Sequence, residues 1–430
     1  MSEVTNRRGF LKRTLITGAA ASAPFILPPA ARGAGDRIAL GCIGVGSMGT
    51  NNMKSFAGLD ACRVVAVCDP YKDRRDKAKG LLDARYGDNG CAAYSDYREV
   101  IARDDIDAVV ITVQDHWHAL IATAAARAGK DMYCEKPLGV SVQECRAIRD
   151  TVRGNKRVFQ TGTWQRSLAK FQRACTLARN GYLGSIRTIE VAAPGPRYQP
   201  KYTGPMGPQP VPDGFDWKMW RGPAPAAGYN PGRVAWPDWY LIWDYCVGFI
   251  CNWGVHHLDI ANWGCPRVGA LPFEVTCSAD YRNEGFTDNV NGWDATLAYP
   301  DGLTVRFKDS SKQKQGCKFI GDEGWVHVNR KGITAEPESL LTLEFKETDA
   351  RLTDSTNHGA NLLACMRTRE DPVSDVDAAL AASNLGMVAD IAARLKTALK
   401  WDPETERFTN NNPANAMLHR PMHNGWELQG

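Results

Sequence analysis

No Cys-x-x-Cys pair, no Gly-x-Ser-x-Gly elbow and no Gly-x-x-x-x-Gly-Lys phosphate loop occurs in this chain. The 13 cysteines, odd in number and scattered, therefore offer neither a zinc ribbon nor a redox dithiol, and a serine hydrolase of the elbow type is excluded. Cys42, Cys62, Cys68 and Cys134 lie in or beside strand-like apolar runs and read as small buried side chains. Lys/Arg runs interleaved with aromatics are also missing, which argues against a nucleic-acid partner. The pairs His116-x-His118 and His256-His257 lack the carboxylate or thiolate company of a metal site, so no metal is expected. Internal repeats and low-complexity tracts are absent as well.

What charge excess exists is local. The chain carries +4, yet residues 1–35 alone hold five basic residues (Arg7, Arg8, Lys12, Arg13, Arg32) against Glu3, and the remainder has 47 of each sign. This segment reads Asn6-Arg7-Arg8-Gly9-Phe10-Leu11-Lys12, then a weakly apolar stretch from Leu15 to Leu27, then small residues from Ala30 to Gly35. It resembles a twin-arginine export signal, which implies the export machinery as a partner and a periplasmic location. The apolar stretch is shorter than the ~20 residues that span a bilayer and is interrupted by Pro24. Asn6 stands where Ser or Thr is commoner and no Ala-x-Ala site follows, so anchoring by an uncleaved signal stays open. A chain that folds before export needs no disulfides.

A length of 430 residues exceeds one hydrophobic core, and two domains are expected. Over residues 36–162, short apolar runs (Ile38 to Ile43, Arg63 to Cys68, Ala108 to Val113, Met132 to Cys134, Val158 to Gln160) alternate with helical stretches. Such runs are the pattern of buried parallel strands, so this part is predicted as a doubly wound α/β domain. Residues 163–400 are predicted as an α+β domain with a large, mostly antiparallel sheet, from alternating segments such as Phe273 to Tyr281 and turns such as Pro300-Asp301-Gly302. A Pro-, Gly- and Trp-rich insertion occupies 194–245, and residues 401–430 read as a polar tail. A sheet with one free face suits a homo-oligomer.

Gly44-Val45-Gly46-Ser47-Met48-Gly49 follows the first strand and opens a helix, as a dinucleotide-binding turn requires. Gly44 serves the tight turn, Gly46 the approach of a pyrophosphate to the amides around Ser47 and Met48, and Gly49 the close helix packing. Asp69 ends the second strand 20 residues beyond Gly49, where an acid takes a ribose hydroxyl and favours NAD. Lys72, Arg74 and Arg75 follow; one of them, Arg74 foremost, can receive the extra phosphate of NADP, or the three form a solvated helix face.

The segments Thr112-Val113-Gln114-Asp115-His116-Trp117-His118 and Ala128-Gly129-Lys130-Asp131-Met132-Tyr133-Cys134-Glu135-Lys136-Pro137-Leu138 resemble the glucose-fructose oxidoreductase, inositol dehydrogenase and rhizopine-catabolism (Gfo/Idh/MocA) family. Gln165-Arg166-Ser167, Tyr229-Asn230-Pro231, Asn252-Trp253-Gly254-Val255-His256-His257-Leu258-Asp259 and Trp401-Asp402-Pro403 extend the resemblance over nearly the whole chain after residue 35. It implies a cis peptide before Pro137 and a catalytic Lys136 in the cleft between the domains. It places Gln114, His118, Glu135 and Lys136 with the cofactor, and Arg166, Tyr229, Trp253, His256, His257 and Asp259 with the substrate.

Oxidising a secondary alcohol needs a hydride acceptor, a base, and a donor or positive charge beside the developing alkoxide. Lys136 supplies the last and His256 is the natural base. The family pattern Asp-x-Gly-x-His-x-x-Asp begins here with Asn252, a neutral amide, so Lys136 and His256 are expected to act without that carboxylate. His257 reads equally as a cap at a helix start. Trp217, Trp220, Tyr229, Trp236, Trp239 and Tyr245, with Arg233 and Asp244, either line a sugar pocket or simply pack their loop. The expected activity is NAD(P)-dependent oxidation of a sugar, polyol or glycoside hydroxyl. An exported enzyme would meet no soluble nicotinamide pool, so tightly bound cofactor is expected. Two alternatives stand beside it: redox-neutral glycoside cleavage, and a catalytically silent nucleotide- or sugar-binding protein.

Overall fold

The computed structural model describes residues 37–195, 200–281 and 283–428. The export-signal reading falls on residues 1–35, outside these. Apolar runs without polar alternation build the first sheet: β1 (Ile38–Ile43), β2 (Cys62–Cys68), β3 (Ala92–Tyr94), β4 (Ala108–Ile111), β5 (Asp131–Cys134) and β6 (Phe159–Thr161). All pair in parallel, in the order β3-β2-β1-β4-β5-β6. Strand order reverses between β1 and β4, and ligands of such sheets sit outside the carboxyl ends at that point. The edge strand β3 escapes sequence reading because it is three residues long and only half buried.

The second sheet contains β7 (Ile186–Ala193), β8 (Phe273–Tyr281), β9 (Val290–Ala298), β10 (Thr304–Asp309), β11 (Gly316–Gly321), β12 (Trp325–Val328), β13 (Ile333–Glu336), β14 (Leu399–Asp402) and β15 (Arg407–Phe408). Its order is β13-β12-β11-β7-β10-β9-β8-β14-β15, antiparallel except for the β7–β10 pair. The inner face buries Val191, Val275, Leu297, Phe307 and Phe319 completely and packs the helices Gly254–Gly264 and Val376–Leu395. The latter is long and apolar enough to cross a membrane, but most of it is buried inside the fold. The outer face is polar, with exposed Glu274 and Arg306 and a Lys308–Asp294 pair at 2.9 Å.

Two expected boundaries move. Residues 401–428 are not a tail: β14 and β15 extend the large sheet, burying Trp401 and Phe408, and Leu418 closes over it. The helix His358–Thr368 packs Leu362, Leu363 and Met366 into the same core as Leu40 and Val64 of the parallel sheet and Met53 of the helix Ser47–Ala57. An amphipathic stripe declares that a helix has a partner, but not which one.

Candidate active site

The turn after β1 has the shape its glycines require. Gly44 has φ +82°, and a Cβ there would stand 2.2 Å from Thr112 O; one on Gly49 would stand 2.0 Å from Gly44 O. Gly46 is not crowded, its nearest neighbour being Arg74 at 3.5 Å from the Cβ position. It heads the helix Ser47–Ala57 with no side-chain cap, leaving the first-turn amides around Ser47 and Met48 for an anion. Asp69 is buried, and its carboxylate accepts from Val45 N (3.0 Å) and Tyr71 N (2.9 Å). Burial pushes its carboxyl above the ordinary range. Each oxygen keeps a lone pair for a ribose hydroxyl. The Arg74 guanidinium lies over the Tyr71 ring at 4.0 Å, beside the same turn. Cys68, Pro70, Ser95, Val113, Gln114 and Trp117 border a flat apolar slot next to it. These residues fit a nicotinamide dinucleotide: phosphates at the glycine turn, ribose at Asp69, a planar base in the slot.

Beyond the turn opens a cleft of about 360 Å³. Lys136 and Glu135 line it from the end of β5, and Asn252, Trp253 and His256 line it from the start of the helix Gly254–Gly264. The Lys136–Pro137 peptide is cis. Lys136 Nζ donates to Asn252 Oδ1 (2.7 Å) and to Asn252 O (3.0 Å). Asn252 Nδ2 in turn donates to both carboxylate oxygens of Asp115, at 2.9 and 3.1 Å. The acid that Asn252 seemed to remove is thus present one residue further back. The amide passes it on, its oxygen toward the ammonium and its nitrogen toward the carboxylate. The expectation concerned a carboxylate at position 252, where an amide stands; Asp115, which it did not include, supplies one behind that amide. Asp115 is buried, and desolvation pushes its carboxyl upward, opposed by Lys136 among others.

His256 is 5% exposed, and its Nδ1 has no hydrogen-bond partner among the described residues. Burial, then Lys136 and Arg330, hold its pKa well below 6.5, so the imidazole is neutral. Glu135 accepts from Asn52 Nδ2 and Tyr133 OH, both at 3.0 Å, and from its neighbour's amide. It is braced by the helix that follows the glycine turn. Three of the exposed large apolar side chains, Met48 (54%), Trp164 (38%) and Trp236 (56%), all border this cleft. Flat apolar faces at the mouth of a polar cleft suit a sugar ring.

Several expected contacts are not there. His118 is fully buried, with Nδ1 2.7 Å from Pro137 O and Nε2 3.3 Å from Val113 O. Both nitrogens face carbonyls, so it braces the Lys136–Pro137 turn and does not reach the cofactor. His257 points 100° round the helix from His256. It meets Gln165 Nε2 at 3.3 Å and the ring of Phe171, away from the cleft, and burial lowers its pKa to about 3. Arg166 and Asp259 bind each other at 2.9 and 2.6 Å in the interior. Neither is left to hold substrate. Tyr229, with Phe215, Trp217, Trp220, Trp239 and Tyr245, forms a separate buried cluster, so packing accounts for most of the insertion's aromatics. Among the described residues of that stretch, Trp236 and Tyr240 alone line the cleft. Sequence reading missed Asp115, Gln165, Trp164 and Arg330; Asp115 and Gln165 stood inside recognisable motifs, whereas Arg330 gave no signal.

Residues 38–163 match the Gfo/Idh/MocA "Oxidoreductase family, NAD-binding Rossmann fold", and residues 170–428 match its "C-terminal alpha/beta domain". Inositol 2-dehydrogenase of Salmonella typhimurium is 34% identical over 130 residues, 29% of this chain and 37% of that protein. Alpha-N-acetylgalactosaminidase of Shewanella oneidensis is 35% identical over 121 residues, 26% of each chain. The chain therefore spans between 26% and 37% of these relatives' own length. Among solved structures, aldose-aldose oxidoreductase of Caulobacter crescentus has TM-score 0.63 at 20% identity, covering 85% of this chain and 100% of that one. Myo-inositol 2-dehydrogenase of Lactobacillus plantarum has TM-score 0.59 at 16% identity, covering 85% and 99%. These two share its fold.

Proposed function

The chain belongs to the Gfo/Idh/MocA oxidoreductase family, and from that premise we propose that it oxidises a hydroxyl of a sugar or polyol with a nicotinamide dinucleotide. The observation that carries this reading is that the Lys136–Asn252–Asp115 chain and a neutral His256 line one cleft. When bound, the dinucleotide supplies the hydride acceptor. Lys136 Nζ–H donates to the reacting oxygen and stabilises its developing charge. Asp115, acting through Asn252, fixes the ammonium's position and balances its charge in a dehydrated site. The neutral His256 imidazole accepts the hydroxyl proton, and its depressed pKa keeps it in the accepting form. Trp164 and Trp236 hold the ring.

The Arg7-Arg8 segment supports a second element of this reading: an exported protein that keeps its cofactor. Acid denaturation of the purified protein should release NAD or NADP in near-stoichiometric amount. No released nucleotide, with activity dependent on added cofactor, would sink retention. The similarity to an α-N-acetylgalactosaminidase favours one alternative, redox-neutral glycoside cleavage. Turnover of sugars and glycosides in deuterated water separates the two: an oxidised product supports net oxidation, and carbon-bound deuterium in a cleaved product supports the alternative. No chemistry on any sugar would overturn both.

A further inference from the structure

Resting on the oxidoreductase reading of the cleft, we propose that the substrate is an acidic sugar and that Arg330 receives its carboxylate. Arg330 stands in the turn between β12 and β13, which Asn329 ties by accepting from Lys331 N (2.8 Å) and Gly332 N (3.0 Å). Its side chain reaches from there to the cleft wall that also carries Lys136 and His256. The guanidinium lies over two indoles, 4.4 Å from the Trp253 ring centre and 4.6 Å from that of Trp164. Its Nε donates to Gln165 Oε1 at 2.9 Å. Gln165 is fully buried and is itself held by His256 O at 3.0 Å.

The indole contacts and the inner edge are therefore engaged, and the outer edge is not. One terminal nitrogen is buried without a hydrogen-bond partner, and no carboxylate forms an ion pair with Arg330 among the described residues. A desolvated guanidinium N–H without an acceptor is costly, and ordinary proteins pair it. Burial lowers the group's pKa only to about 10, so it stays charged at neutral pH. The one acid in the cleft wall, Glu135, already accepts from Asn52, Tyr133 and the Lys136 amide. A neutral sugar hydroxyl takes one of the free N–H groups, whereas a carboxylate takes two in the planar fork that the indoles hold rigid. The substrate class that completes this edge is an aldonate or uronate, with the oxidised hydroxyl on a different carbon.

The test uses matched pairs, glucose with gluconate and glucuronate, and galactose with galacturonate, with glucose 6-phosphate as a tetrahedral anion. Binding is read from quenching of tryptophan fluorescence and turnover from reduced nicotinamide. The acid of each pair should bind at least about tenfold more tightly than its neutral partner, the scale of a charge-assisted bond. Arg330→Gln should erase that preference by weakening the acids at least about tenfold more than the neutral sugars, with cofactor affinity within about twofold, and Arg330→Lys should restore part of it. Equal or tighter binding of the neutral sugars by the parent protein would overturn the proposal without any variant. So would a preference for the phosphate, or an Arg330→Gln change that weakens cofactor binding instead. Selective binding of the acids without hydride transfer would uphold the Arg330 assignment and sink the oxidoreductase reading.

Discussion

On one side of the helix Gly254–Gly264, His256 lines the cleft next to a lysine whose counter-charge lies behind an amide. On the other side, His257 and Asp259 look into the core, where Arg166 meets Asp259 with two hydrogen bonds and spends a third on Val373 O. Both sides are buried and both hold charge. The core side pairs its cation with a carboxylate although the neutral His257 keeps an unpartnered Nε2, whereas the cleft side bonds its lysine to a neutral amide and leaves an Arg330 nitrogen without an acceptor. A cation with no carboxylate directly against it, more than buried charge or one bare ring nitrogen, separates a site that awaits a ligand from a strut.

The sharpest way to break this contrast is to remove one cation from each side. Lys136→Met should lower kcat by about 1000-fold, as loss of a donor to the developing oxyanion does, and leave the melting temperature close to that of the parent. Arg166→Met should do the reverse, costing about 3–5 kcal/mol of unfolding free energy because Asp259 is left charged and alone in the interior. Its residual folded fraction should turn over normally. A stable Arg166→Met protein without activity would move Arg166 into the site and void the comparison.

A smaller effect is expected from Asp115→Asn, which keeps the shape behind Asn252 but removes the charge. By analogy with residues that orient a ligand from behind, kcat should fall about 10- to 100-fold with KM little changed. Unchanged kcat would reduce Asp115 to packing. Smallest is the pH effect. A base works unprotonated; because His256 has its pKa held well below 6.5, protonation disables it only at correspondingly lower pH. The acid limb of kcat/KM should therefore lie below pH 6.5, and a half-maximum at or above that value would show that another group is the base.

How much of this was legible without coordinates varies with sequence separation. Phe273–Tyr281 could be read residue for residue because alternation against a core is a local property. β15, two residues long, and β3 have too few residues for any period to show. Asn252 was read as a neutral amide, and the carboxylate behind it went unseen, since Asp115 lies 137 residues away along the chain. His256 and His257 are the same residue type in adjacent positions, and only the direction in which the helix meets the sheet tells them apart.

By itself, the sequence determined the glycine turn from Gly44 to Gly49, the acid at Asp69 and the lysine before Pro137, because each is set by backbone geometry or chemistry within a few residues. Tertiary structure alone decided which charges pair and which remain open. Asp115 reaches Lys136 only through Asn252, and Arg330 reaches the cleft only because β12 and β13 bring their turn against Gln165, 165 residues earlier. Pairing energy depends on distance and desolvation, and both come from the packing of segments that carry no mark of each other in their order along the chain.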